Sequence, residues 1–154
     1  MKKIILATGN QGKVRELDAM LKGHYSVVSQ KDLKVIEVPE TGSSFIENAL
    51  LKARNAAYQT QLPALADDSG LEVEALDGEP GIYSARYAGE NASDEENLSK
   101  LLKEMEKHNN RKANFCCAMV FIRSSEDPSP IIIERRWYGE ILTRPIGSNG
   151  FGYD

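Results

Sequence analysis

Apolar positions in this chain recur with two periods, and each change of period marks an element. The run Ile4-Ile5-Leu6-Ala7 makes residues 2–7 a buried strand. Val14, Leu17 and Leu21 then stand at helical spacing, so the strand runs into a helix over residues 12–22. Ser26-Val27-Val28 and residues 33–38 read as short strands, and Pro39-Glu40-Thr41-Gly42 as a turn. Ser44-Phe45-Ile46-Glu47 has the form of a capping box. It predicts a helix to Tyr58 that buries Ile46, Ala49, Leu50, Ala53 and Ala57. Residues 63–66 make a strand that delivers Asp67-Asp68-Ser69-Gly70 at its end, after which Leu71-Glu72-Val73 resumes the strand pattern. Residues 77–91, rich in glycine and tyrosine, predict an ordered loop. A second capping box, Ser93-Asp94-Glu95-Glu96, opens a helix carrying Leu98, Leu101, Leu102 and Met105 and ending near His108. Residues 113–123 and 131–142 are long strands joined through Pro128 and Pro130, and residues 147–154 form a glycine-rich loop. Helices and strands interleave early and long strands follow late, which predicts a mixed-sheet α/β fold. No repeat or linker divides the chain, so residues 1–154 read as a single domain.

Composition narrows the partners. The chain has 154 residues, enough for a core of its own. Its net charge of −4, from 19 basic and 23 acidic side chains, argues against binding a nucleic-acid backbone. A local basic pocket for a small anion remains open. No apolar run approaches a membrane span, and Ile4 to Ala7 is too short for the core of a signal peptide. Cys116 and Cys117 are adjacent in a strand-like run, face opposite ways and would be strained as a bridge. Buried free thiols in a reducing, cytoplasmic setting are expected. Trp137 reads as a core or interface residue, and His24 and His108 as surface residues.

Two places suit chemistry. The stretch Thr8-Gly9-Asn10-Gln11-Gly12-Lys13 joins a strand to a helix through small and polar residues. Such a turn aims backbone N–H groups and a helix dipole at one spot, where a phosphate would be welcome. It is equally a plain connection with Asn10 as N-cap. It is neither the Walker pattern nor the dinucleotide fingerprint. The second place is Asp67-Asp68, two adjacent carboxylates that call for a cation, a proton or a strong donor. A hard divalent ion such as Mg²⁺, with Glu40 as a further ligand, would answer that need; a surface turn is the alternative. Lys52 faces either a phosphate or solvent, and Phe151 either stacks on a base or fills the core.

In order along the chain stand Thr8-Gly9-Asn10 with Lys13 and Glu16, Glu40-Thr41-Gly42 with Phe45, Glu47, Asn48 and Ala49, Asp67-Asp68-Ser69-Gly70-Leu71, Pro80-Gly81-Ile82-Tyr83-Ser84-Ala85-Arg86-Tyr87, and Gly150-Phe151-Gly152-Tyr153-Asp154. This series resembles the inosine/xanthosine triphosphate pyrophosphatases, from the first strand to the last residue. The resemblance implies a long twisted mixed sheet flanked by helices, with a nucleotide cleft between two lobes. It implies Mg²⁺-dependent hydrolysis of ITP, dITP and XTP to the monophosphate and pyrophosphate, usually by a homodimer. By matching position, Thr8, Gly9, Asn10, Gln11, Gly12 and Lys13 would hold the phosphates, with Lys52 assisting. Glu40 and Asp68 would hold the metal, and Asp68 would be the base for the attacking water. Ser69 would touch the substrate, while Phe151, Gly152, Tyr153 and Asp154 would line the base pocket. Members of that family continue beyond the Phe-Gly-Tyr-Asp motif with a Ser-His-Arg motif and a terminal helix. The chain ends at Asp154, so a truncated form lacking part of the base pocket is expected. Two other readings follow: a nucleotide-binding module without turnover, or a related pyrophosphatase of different base preference.

Overall fold

The structure is a computed structural model and describes residues 1–154. In chain order the elements are β1 (Lys2–Leu6), α1 (Gln11–Leu21), β2 (Tyr25–Ser29), α2 (Phe45–Thr60), β3 (Ala64–Val73), α3 (Asp94–Met105), β4 (Lys112–Ile122) and β5 (Ile131–Glu140). A 3₁₀ turn, Glu74–Leu76, precedes the predicted ordered loop, and a 3₁₀ segment of 6 residues, Gly81–Arg86, lies within it. The five strands form one sheet in the order β2-β1-β3-β4-β5, so the mixed α/β expectation holds. β1 pairs in parallel with β2, Ile4 opposite Val27, and with β3, Leu6 opposite Leu65. A parallel neighbour needs a crossover, and α1 and α2 supply the two that β1 requires.

Two compact units share these elements. The first comprises Met1–Asp68 with Ala118–Glu134, the second Ser69–Cys117 with Arg135–Asp154. The first has a core of Ile5, Ala7, Ala64, Ala66, Val120 and Ile122 against one face of α2. That face is Ala49, Ala53, Ala56 and Ala57, small enough to lay the helix backbone close on the strands. The second unit buries Leu71, Val73, Leu101, Met105 and Ala113. Asn97 of α3 is buried with them; its carboxamide accepts from Ala88 N and donates to Ala85 O, which fixes the loop before the helix.

Three expectations change. Residues 33–38 form no strand. The Ile36 carbonyl accepts from Asn55 Nδ2 and Gln59 Nε2, and its N–H donates to Gln59 Oε1, so α2 takes the groups a ladder would use. Asp67-Asp68-Ser69-Gly70 is no strand end and no surface turn: β3 runs through it unbroken. β3 stands between β1 and β4 in the sheet, and although its pairing with β1 ends at Leu65, the strand as a whole overrides the turn preference of these residues. Of the two readings of Trp137, core or interface, the core drops out, since it lies on the edge strand β5 with 79% of its surface exposed. The two cysteines form no disulfide, as expected; Cys116 is buried as expected, while Cys117 is only half-buried.

Candidate active site

The turn after β1 is closed by its own side chains. Asn10 is the N-cap of α1, and its Oδ1 accepts from Gly12 N at 2.9 Å and Lys13 N at 3.2 Å. Thr8 Oγ1, buried, accepts from Asn10 N at 3.1 Å. Gln11 begins the helix and is exposed. Lys13 turns from the helix to β3, where its Nζ donates to Asp67 Oδ2. A Cβ at Gly9 would sit 3.2 Å from Oε1 of Glu37, the tip of an exposed side chain that can give way. Glu37 accepts from Gln30 Nε2 at 3.3 Å, so this carboxylate leans against the turn.

β3 carries Asp67 and Asp68, both buried. Asp67 is neutralised by Lys13. Asp68 meets α2, whose Asn48 and Lys52 stand one turn apart on one face. Lys52 Nζ lies 3.8 Å from Asp68 Oδ1 and 3.6 Å from Glu40 Oε1, bridging the two carboxylates. Burial pushes the Asp68 carboxyl up from 3.8 to about 6; Glu40 and Asp67 push the same way, while Lys52 and Asn48 oppose them. Asp68 Oδ2, Asp67 Oδ1 and Asn48 Nδ2 are buried with no hydrogen-bond partner. Groups in that state mark unused binding capacity. No set of three or more His, Cys, Asp or Glu side chains stands together as a ready metal cage. A pair of carboxylates with an open oxygen suits an ion that takes one or two protein ligands and completes its shell with water and phosphate, as Mg²⁺ does.

The first unit therefore gathers Thr8 to Lys13, Glu40, Lys52, Asp67 and Asp68. Ser69, exposed, and Phe151 to Asp154 belong to the second unit. There Gly152 N donates to Asp94 Oδ2 at 3.0 Å and Tyr153 Oη donates to Ser84 O at 2.6 Å. Burial raises the Tyr153 hydroxyl far above its usual range, so it stays a donor. Asp154 folds back, Oδ2 accepting from Phe151 N at 3.2 Å. Phe151 itself is 66% exposed, with its ring in solvent rather than in the core.

Asp67, read in the sequence with Asp68 as a carboxylate in need of a cation, has Lys13 as its partner. Sequence reasoning assigned no role to Glu37, which leans on Gly9, or to Asn48, which is fully buried beside Asp68. Asn48 left a signal: a polar residue one helical turn past Phe45 and one before Lys52, where the start of α2 turns inward.

Comparisons with known proteins bear on the whole chain. Residues 4–154 match the model of the Ham1 family. The chain is 58% identical to a dITP/XTP pyrophosphatase of Vibrio cholerae, covering 100% of this chain and 78% of that protein. It is 54% identical to a dITP/XTP pyrophosphatase of Shigella flexneri, covering 100% and 80%. Among solved structures it superposes on a HAM1 protein from Coxiella burnetii with a TM-score of 0.95 at 45% identity, over 100% of this chain and 80% of the other. A dITP/XTP pyrophosphatase from Mycobacterium abscessus gives a TM-score of 0.85 at 41% identity, over 99% and 81%.

Proposed function

The chain belongs to the Ham1 family, and from that premise we propose that it hydrolyses deaminated purine nucleoside triphosphates, dITP, ITP and XTP, to the monophosphate and pyrophosphate. The single observation that carries the mechanism is the meeting of Glu40, Lys52 and Asp68 beside the turn that bears Lys13.

Mg²⁺ fits the donor set, held by Glu40 and Asp68, and when bound it supplies charge neutralisation and polarisation of the anhydride. The residues of the chain do the rest. The Thr8 to Lys13 turn holds the phosphate chain, with Lys13 exchanging Asp67 for a phosphate oxygen. Lys52 offsets the charge of two carboxylates and assists at the phosphates. Asp68 accepts the proton of the attacking water. In the metal-free fold burial raises this carboxyl to about 6, so it is ionised at neutral pH and free to take a proton. Ser69 touches the substrate, Phe151 stacks on the purine, and Gly152, Tyr153 and Asp154 shape the base pocket. The protein acts as a cytoplasmic homodimer; two cysteines that form no disulfide support the compartment, and the sequence resemblance supports the dimer.

Pyrophosphate release is the test, measured with dITP, XTP, dGTP, dATP and dTTP with and without Mg²⁺. Turnover of dITP and XTP well above the other three, and only with the metal, is expected. Equal rates across all five would overturn the substrate assignment, and metal-independent rates would overturn the role of Glu40.

A further inference from the structure

We propose that Asn48 is a positioning residue for this reaction: one carboxamide ties the turn that carries Glu40 to the carboxylate of Asp68, setting the spacing of the two metal ligands. This rests on the functional reading above and adds a residue to it.

Asn48 lies in the first turns of α2 and has no exposed surface. Its Oδ1 accepts from Gly42 N at 2.7 Å. Because a backbone N–H can only donate, that bond fixes the amide orientation and leaves Nδ2 on the other side. Gly42 is two residues past Glu40, and it meets the helix very closely. A Cβ at Gly42 would lie 2.7 Å from Asn48 Oδ1, 2.7 Å from Glu47 Cβ and 3.1 Å from Asn48 N. Only glycine lets the Glu40 turn seat on the helix start in this way.

The other end of the carboxamide points to the reaction. Nδ2 is buried with no closed hydrogen bond, and so is Asp68 Oδ2. Lys52, one turn along the same face of α2, lies 3.8 Å from Asp68 Oδ1, so Asn48 stands on the side of the helix that meets this carboxylate. A buried amide hydrogen without a closed bond costs free energy, so the site gains when Nδ2 and Asp68 draw together. Lys52, four residues on along the same helix, bridges Glu40 and Asp68 by charge. Asn48 holds one of those segments by a hydrogen bond, from Gly42 N, and presents the unclosed donor Nδ2 to the other. A charge holds two carboxylates together but does not orient their oxygens; a carboxamide clamped at one end does.

The test uses the full chain with Mg²⁺ and dITP. Asn48→Ala removes both ends of the bridge. Outer groups that orient metal ligands typically change affinity or activity by about 10–100-fold. A fall of that size is expected in kcat, with a comparable loss of Mg²⁺ affinity measured by calorimetry on the nucleotide-free protein. KM for dITP should move by less than about threefold, because the phosphate turn is untouched. Asn48→Asp is the second variant: it keeps the volume and the acceptor for Gly42 N but lacks the donor toward Asp68. It should lose kcat as well, and because it buries a second carboxylate beside Asp68 its melting temperature should fall too. Parental kcat and Mg²⁺ affinity in Asn48→Ala, with only a lowered melting temperature, would make Asn48 a structural asparagine. Parental kcat in Asn48→Asp would overturn the donor. If the parent protein releases no pyrophosphate from dITP, the functional reading fails instead, and the calorimetric arm still decides the role of Asn48.

Discussion

Lys13 has two competing partners. It neutralises Asp67, which is buried, and under the proposed function it also has to reach a phosphate. Removing it therefore leaves a buried carboxylate uncompensated, which is strongly destabilising. Lys13→Ala should lower the melting temperature and weaken binding of inorganic pyrophosphate. Adding Asp67→Asn should restore the melting temperature without restoring pyrophosphate affinity. Recovery of both by calorimetry would place Lys13 away from the phosphates. Asp68 makes a second case at this scale. Its carboxyl is raised to about 6 in the fold against 3.8 ordinarily. Between those values the folded state holds more protons than the unfolded one, so stability falls as pH rises from 3.8 through 6 and stays lower above it. In metal-free protein, Asp68→Asn should match the parent melting temperature near the low end of that window and exceed it at neutral pH. The same variant should lose turnover by about 10³-fold or more, since a base and a metal ligand go together. A metal-free variant no more stable than its parent at neutral pH would mean that burial does not strain this carboxylate.

At the scale of elements, local signals were legible and long-range ones were not. The serine half of both capping boxes formed: Ser44 Oγ accepts from Glu47 N and Ser93 Oγ from Glu96 N, each at 3.1 Å, while Glu47 reaches back to Ser43 N instead of Ser44 N. Ser44→Ala should cost about 1 kcal/mol of stability in denaturant melts. The order of motifs was enough to name the family resemblance, because each motif is a few residues long. What joins them is not local. Nothing near Lys13 indicates Asp67, 54 residues away, and nothing near Lys52 indicates that it serves Glu40 and Asp68 at once. The Asp67 to Gly70 stretch reads as a turn because its residues favour turns; the sheet neighbours of β3 decide otherwise. Asp127 shows the same limit. It reads as part of a proline-bounded link, yet it is the buried centre of the β4–β5 connection. It accepts from Arg123 N at 2.9 Å, Ser129 N at 2.9 Å and Arg123 Nη2 at 3.0 Å. Those bonds hold its carboxyl down at about 2, against 3.8 in the unfolded chain. Its contribution is present above 3.8 and is lost as pH falls from there through 2, the opposite sense and a lower window than Asp68. Asp127→Asn should flatten the acid limb of a melting-temperature profile below pH 4. An unchanged limb would show that the turn survives without the charge.

At the scale of the whole molecule, the two compact units are joined by strands rather than by linkers. Their boundaries fall between Asp68 and Ser69 in β3, between Cys117 and Ala118 in β4, and between Glu134 and Arg135 in β5. A linker lets one unit open while the other stays closed; a strand shared in mid-ladder carries the loss of order onward. The units should therefore unfold together, although each has its own core. Cys116 offers a reporter in the second unit, since its thiol is 1% exposed and can react only when that unit opens. Ile5 is a fully buried core residue of the first unit. Ile5→Ala should remove about 2–5 kcal/mol through lost burial and the cavity left behind. In a Cys117→Ser background, slow thiol labelling of Cys116 measures the population of open second unit. If the strands couple the units, Ile5→Ala should raise that labelling rate by roughly 30- to several-thousand-fold, the same free energy read through a different core. A labelling rate unmoved by Ile5→Ala, in a protein whose global melt has clearly fallen, would show that the second unit holds its own order when the first has lost it.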